Sequence, residues 1–197
     1  MYNRLLKYIT LNKILVENQF GFRQGQSTYM ALLKLVNDIT EELDKGNCYL
    51  GIFIDLSKAF DTVDHNLLLR KMEYYGIRGH ALLWFTSYLS YRIQYVSLNQ
   101  TNSETLPVTC GAPQGSILGP LLFILFINDI VNASTIAEII MLADDTTLFF
   151  KHKELGILYT TINVELAKIS QWFKLNKLSL NIKKTTMLSF EIKISNN

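Results

Sequence analysis

The sequence is short of cysteine, proline and charge, and it has no long apolar run. Its two cysteines, Cys48 and Cys110, lie far apart with no Cys or His at zinc-ligand spacing, which excludes a disulfide framework and a zinc module. Both thiols are expected to be buried, in a reducing compartment. With only three prolines, 18% charged residues and 49% hydrophobic residues, the composition excludes a disordered or low-complexity chain. The longest apolar run, Leu121 to Ile127, falls well short of the roughly 20 residues of a membrane span. The opening stretch MYNRLLKYITLNKILVENQF has no continuous apolar segment resembling a signal peptide. The expectation is a soluble intracellular protein, in cytoplasm, nucleus or both, with no membrane partner.

What remains is 197 residues, enough for one sizeable core or a domain with part of a second. The net charge of +2 is too mild to announce a nucleic-acid binder by itself. Its distribution says more: after Glu165 come Lys168, Lys174, Lys177, Lys183, Lys184 and Lys193 against the single acid Glu191. Such a run is compatible with a solvated face or with a nucleic-acid contact.

Periodicity outlines the elements. A first helix runs through Leu5, Leu6 and Ile9, followed by the loop NQFGFRQGQ. Ser27 offers an N-cap to a helix with Leu32, Leu35, Val36, Ile39 and Leu43 on its buried face, surface acids opposite and a stop at Gly46. YLGIFIDLSKAF reads as a buried strand ending at Asp55. Asp64 caps a helix ended by Gly76, with His65 a structural residue in its first turn. The helix HALLWFTSYLS, the strand RIQYVSL, the turn NQTN and the strand ETLPVTC follow, Pro107 marking an edge. GAPQGSILGPLLFILFINDI joins a tight loop to a helix that is apolar all round and so buried. IAEIIMLA and TTLFF are two strand arms around Asp144 and Asp145. Leu155, Tyr159, Ile162, Leu166, Ile169 and Phe173 line one face of a last helix, before a strand near TTMLSFEI. Antiparallel strands with helices segregated to one face define an α+β layer.

In MLADDTTLFF, adjacent acids sit between apolar arms. A hairpin turn suits them, since Asp tolerates turn geometry. A metal site suits them too, because neighbouring carboxylates repel unless a proton or cation lies between them. If the Asp55 strand neighbours this hairpin, three carboxylates converge. Magnesium then fits, completing its octahedron with water and substrate phosphates. Two such ions stabilise the attacking and leaving oxygens of a phosphoryl displacement. The loop GAPQGS, where backbone approaches a ligand closely and an amide bonds sugar or base, favours nucleotide handling.

Four segments, in order, resemble the reverse transcriptases (RNA-directed DNA polymerases) of non-LTR retrotransposons. FIDLSKAFDTVDH resembles motif A, GAPQGSILGPLLFILFINDI motif B, LADDTTLF motif C and WFKLNKLSLNIKKT motif D. NQFGFRQGQST is similar to that group's insertion before the first catalytic strand. A group II intron maturase or a telomerase-like enzyme is the other possibility; Ser116 and Gly119-Pro120 depart from the maturase version of motif B and favour the retrotransposon branch.

The resemblance implies a polymerase palm over residues 48–197, with residues 1–47 a partial, helical remnant of the fingers. It implies that Asp55 and Asp144 ligate two Mg²⁺ ions, Mn²⁺ being a possible substitute, with Asp145 completing the set and the Leu56 carbonyl adding a ligand. Phe60 would lie under the incoming sugar and exclude a 2′-hydroxyl, while Gln114 and Gly115 would face the nucleotide and template. Lys184 would stand near the departing pyrophosphate, with the adjacent Lys183 the alternative for the same position. Arg23 is either a template contact or a loop surface charge. The implied partners are an RNA template, a DNA primer, deoxynucleoside triphosphates and the remainder of a retroelement polyprotein, with thumb and endonuclease absent here. Leu142 departs from the family's usual aromatic residue, and the family's triphosphate-gripping finger segment has no counterpart in residues 1–19. Two functions stay open: a reverse transcriptase core, or a catalytically silent retroelement fragment that at most binds nucleic acid.

Overall fold

A computed structural model describes residues 1–191; Ile192 of the final expected strand and Lys193 of the basic run lie outside the described residues. Helix α1 (Tyr2–Leu11) leads through the loop to α2 (Thr28–Asp44). Strands β1 (Cys48–Ile54) and β2 (Leu56–Ser57) flank Asp55. Helices α3 (His65–Tyr74) and α4 (Gly79–Leu89) precede four short strands, β3 (Ile93–Gln94), β4 (Ser97–Leu98), β5 (Thr101–Asn102) and β6 (Leu106–Pro107). Then come α5 (Leu118–Ile127), β7 (Glu138–Leu142), β8 (Asp145–His152), α6 (Leu155–Leu175), β9 (Ser179–Leu180) and β10 (Thr186–Phe190).

The main sheet is antiparallel with order β10-β1-β8-β7, so the strand leading to Asp55 is central and lies beside the hairpin carrying Asp144. Alternation along β1 explains the two layers. Leu50, Ile52 and Ile54 face the principal core, built with Leu68 and Met72 of α3, Phe85 of α4, all of α5 and Ile162, Ile169 and Phe173 of α6. Tyr49 faces the other way, where Phe149, Ile140 and Phe20 form a smaller cluster under Ala31, Leu35 and Ile39 of α2. Helices α1, α3, α4, α5 and α6 thus share one face, and α2 lies on the other.

α5 is buried along its length as its composition requires, except at Pro120 in its first turn, which is partly exposed. Ser27 Oγ accepts from the Met30 N–H and Asp64 Oδ1 from the Leu67 N–H, so both expected N-caps form. His65 is structural: its Nε2 lies 2.9 Å from the Gly111 carbonyl, and the residue is buried.

Several expectations are corrected. Leu32 and Val36 are exposed, because α2 turns Ala31, Leu35 and Ile39 inward. Its acids are not all surface: Glu42 is buried, where Lys151 and Asn47 bond its carboxylate. On α6, Leu158 rather than Tyr159 is buried. Cys110 is exposed and Cys48 half-buried, since Cys110 follows the projecting hairpin and Cys48 is the first residue of β1, at the end of the sheet. That hairpin is also more broken than its pattern suggests. β3 pairs with β6 and β4 with β5, as separate two-residue ladders outside the main sheet.

Candidate active site

The register of the central strands brings the acids together. Ile54 pairs with Thr146, so Asp55 leaves β1 where Asp145 enters β8. β7 and β8 are joined through Ala143 and Asp144 alone, with Leu142 opposite Asp145. The turn reading of these acids therefore holds, at the tip of the sheet. Ala143 takes φ +61, at a position where hairpins of this length usually place glycine.

Asp55 and Asp144 line one cavity of about 530 Å³, together with Leu56, Phe60, Gln114 and Lys184. Motif D reaches it through β9, which pairs with β2, and through the Asn181 N–H, which donates to the Asp55 carbonyl at 2.9 Å. Lys184 follows in that turn, its own N–H bonded to the Asn181 carbonyl. Phe60 stacks on Phe123 of α5 with centroids 4.3 Å apart and meets Phe22 edge-on. Its ring borders both this cavity and an adjoining one that includes Gly115, Ser116 and Ile117. Gly115 takes φ +75 with open space where a side chain would project.

Of the cavity-wall residues that escaped the sequence reading, among them Ser57, Lys58 and Ala59, two tie one motif to another. Asp61 accepts a hydrogen bond of 2.5 Å from Gln114 Nε2, tying motif A to the motif B loop. Asn181 is the other. The second acid of AFD was a visible signal for Asp61; nothing in the sequence marked Asn181. Arg23 is not among the cavity's residues. Its Nη1 donates to the carbonyls of Val16 at 2.6 Å and Gln19 at 3.1 Å.

The electrostatics match clustered acids. Partial loss of water raises the Asp145 carboxyl above the usual carboxylate range, and the negative charges of Asp144 and Asp55 push it further the same way. A proton or a cation relieves such crowding. The donor set fits magnesium held by one or two carboxylates, water and substrate phosphates. It does not make a closed protein cage: among the described residues, no group of three or more His, Cys, Asp or Glu side chains could hold a metal ion. Nor is any described helix long and apolar enough to cross a membrane.

An antiparallel palm sheet with acids at a central strand end and at the neighbouring hairpin tip defines the class as polymerase-like. The sequence profile of the family described as reverse transcriptase (RNA-dependent DNA polymerase) matches residues 1–194, and the chain belongs to that family. It is 32% identical to a probable RNA-directed DNA polymerase from transposon BS of Drosophila melanogaster, over 97% of this chain and 22% of that protein. Identity to the RNA-directed DNA polymerase from mobile element jockey of the same species is 30%, over 95% of this chain and 21% of that one. The chain thus spans about a fifth of these relatives' length. In fold it resembles apo telomerase from Candida tropicalis, with a TM-score of 0.70 at 11% identity over 94% of this chain and 36% of that one.

Proposed function

We propose that the chain is the palm core of a non-LTR retrotransposon reverse transcriptase, with part of the fingers in residues 1–47. It joins deoxynucleotides to a DNA primer 3′-hydroxyl on an RNA template and releases pyrophosphate. The observation that carries this reading is the shared cavity of Asp55, Asp144, Phe60 and Lys184, which come from three separate motifs. Two divalent ions, when bound, supply positive charge at the attacking and leaving oxygens. Asp55 and Asp144 would hold them, with the Leu56 carbonyl as a further ligand and Asp145 in support.

The other roles follow from chemistry and position. The Lys184 ammonium offers charge or a proton to the departing pyrophosphate. Phe60, fixed by its stack on Phe123, presents a ring edge that a ribose 2′-hydroxyl would strike. Gln114 and Gly115 lie where nucleotide and template would meet the wall. Arg23 has no part in this proposal, since it lies outside the cavity and its Nη1 donates to loop backbone carbonyls. The remainder of a retroelement polyprotein is the proposed covalent context.

Primer extension by the purified chain on RNA and DNA templates with Mg²⁺ tests the reading. Extension on RNA that is abolished by Asp144→Ala is the expected result. No extension from a well-folded wild-type chain would defeat autonomous polymerase activity.

A further inference from the structure

The loop between α1 and α2 lies against the open edge of β7. The Phe20 N–H donates to the Met141 carbonyl and the Met141 N–H to the Asn18 carbonyl, both at 2.8 Å, so Gln19 pairs with Met141 as a parallel bridge. Gln19 is fully buried, and its Oε1 accepts from the Ala143 N–H at 3.1 Å and from the Gly21 N–H at 2.7 Å. Gly21 is there by necessity: a Cβ on it would lie 2.7 Å from the Ala143 Cα and closer still to the Ala143 nitrogen. Arg23 closes the loop behind Gln19 through the carbonyls of Val16 and Gln19.

We infer that Gln19 is a positioning residue for Asp144: its carboxamide holds Ala143 in the left-handed region and so fixes the direction in which Asp144 leaves the hairpin. An alanine at positive φ is strained and persists only where its surroundings over-determine it. Two backbone bonds secure Met141, but nothing besides Gln19 accepts from the Ala143 N–H among the described contacts. The same oxygen bonds Gly21, so loop and turn move as one unit. Arg23 supports this clamp from behind. The consequence for metal affinity rests on the function proposed above; the consequence for the turn does not.

Gln19→Met, of similar length but without an acceptor, is compared with wild type in the 197-residue chain. Site-resolved amide hydrogen exchange and Mn²⁺ binding by electron paramagnetic resonance are read without nucleotide. Exchange at Ala143 should accelerate about tenfold relative to Leu50 of β1, with cooperative unfolding retained. Mn²⁺ affinity should fall about tenfold, because ligands displaced from their geometry bind poorly. Should the Met variant not fold, Gln19→Asn, whose amide stops one methylene short, is expected to show the same selective loss. Unchanged Ala143 exchange in a folded variant overturns the inference. A wild-type chain that binds no Mn²⁺ counts against the metal reading alone, since the exchange data still decide the role of Gln19.

Discussion

Replacing Glu42 with Gln tests how α2 is fastened to the sheet. Lys151 of β8 bonds the Glu42 carboxylate at 2.8 Å, Asn47 at 2.7 Å and Lys45 at 3.1 Å. The Lys151 contact first, then Asn47 and Lys45, outweigh burial and hold the carboxyl down at about 2, from an ordinary 4.5. That displacement corresponds to about 3 kcal/mol. The Lys45 and Lys151 side chains are 51% and 54% exposed, so solvent screening leaves about 1–2 kcal/mol. Because the folded pKa is depressed, this stabilisation is complete above the unfolded value and is lost as pH falls towards about 2. Urea unfolding of wild type and Glu42→Gln at pH 7 and near pH 3 measures it. The stability difference should be about 1–2 kcal/mol at pH 7 and shrink as pH falls. A difference that does not change with pH, or that grows in acid, would refute the reasoning.

Three further outcomes are expected. Lys184→Ala should slow extension about a hundredfold without moving the melting temperature, while exposed Lys183→Ala should leave the rate within about twofold. Phe60→Val should raise ribonucleotide incorporation relative to deoxynucleotide and cost about 1 kcal/mol of stacking on Phe123, read by competitive extension and by denaturation. Lys71→Met should destabilise by about 1–3 kcal/mol in denaturant, since the ammonium bonds Asp129 and the Phe126 carbonyl at 2.6 Å each and lies over the Trp172 ring.

Local chemistry made much of this fold legible. Ser27 and Asp64 announce their caps, the all-apolar run announces buried α5, and the acid pair announces the hairpin tip. What escaped depends on which of several faces finds a partner. α2 has apolar residues on more than one side, so periodicity finds Leu35 and Ile39 but cannot tell that Ala31, rather than Leu32 and Val36, packs with them against Tyr49 and Phe149. Buried Glu42 and Glu165 look like ordinary helix acids until Lys151 and Ser134 arrive from distant segments. The Gln19 clamp is of the same kind: an amide in a loop gains meaning only when Ala143 is folded against it.

The central claim is that Asp55 and Asp144 form one functional unit across two motifs. The measurement that tests it is single-turnover extension on an RNA template with Asp55→Asn, Asp144→Asn and the double variant. Residues that act as a unit are strongly non-additive, so either single change should reduce the rate nearly as far as both together. Losses that multiply independently, or full activity in either single variant, would contradict the account.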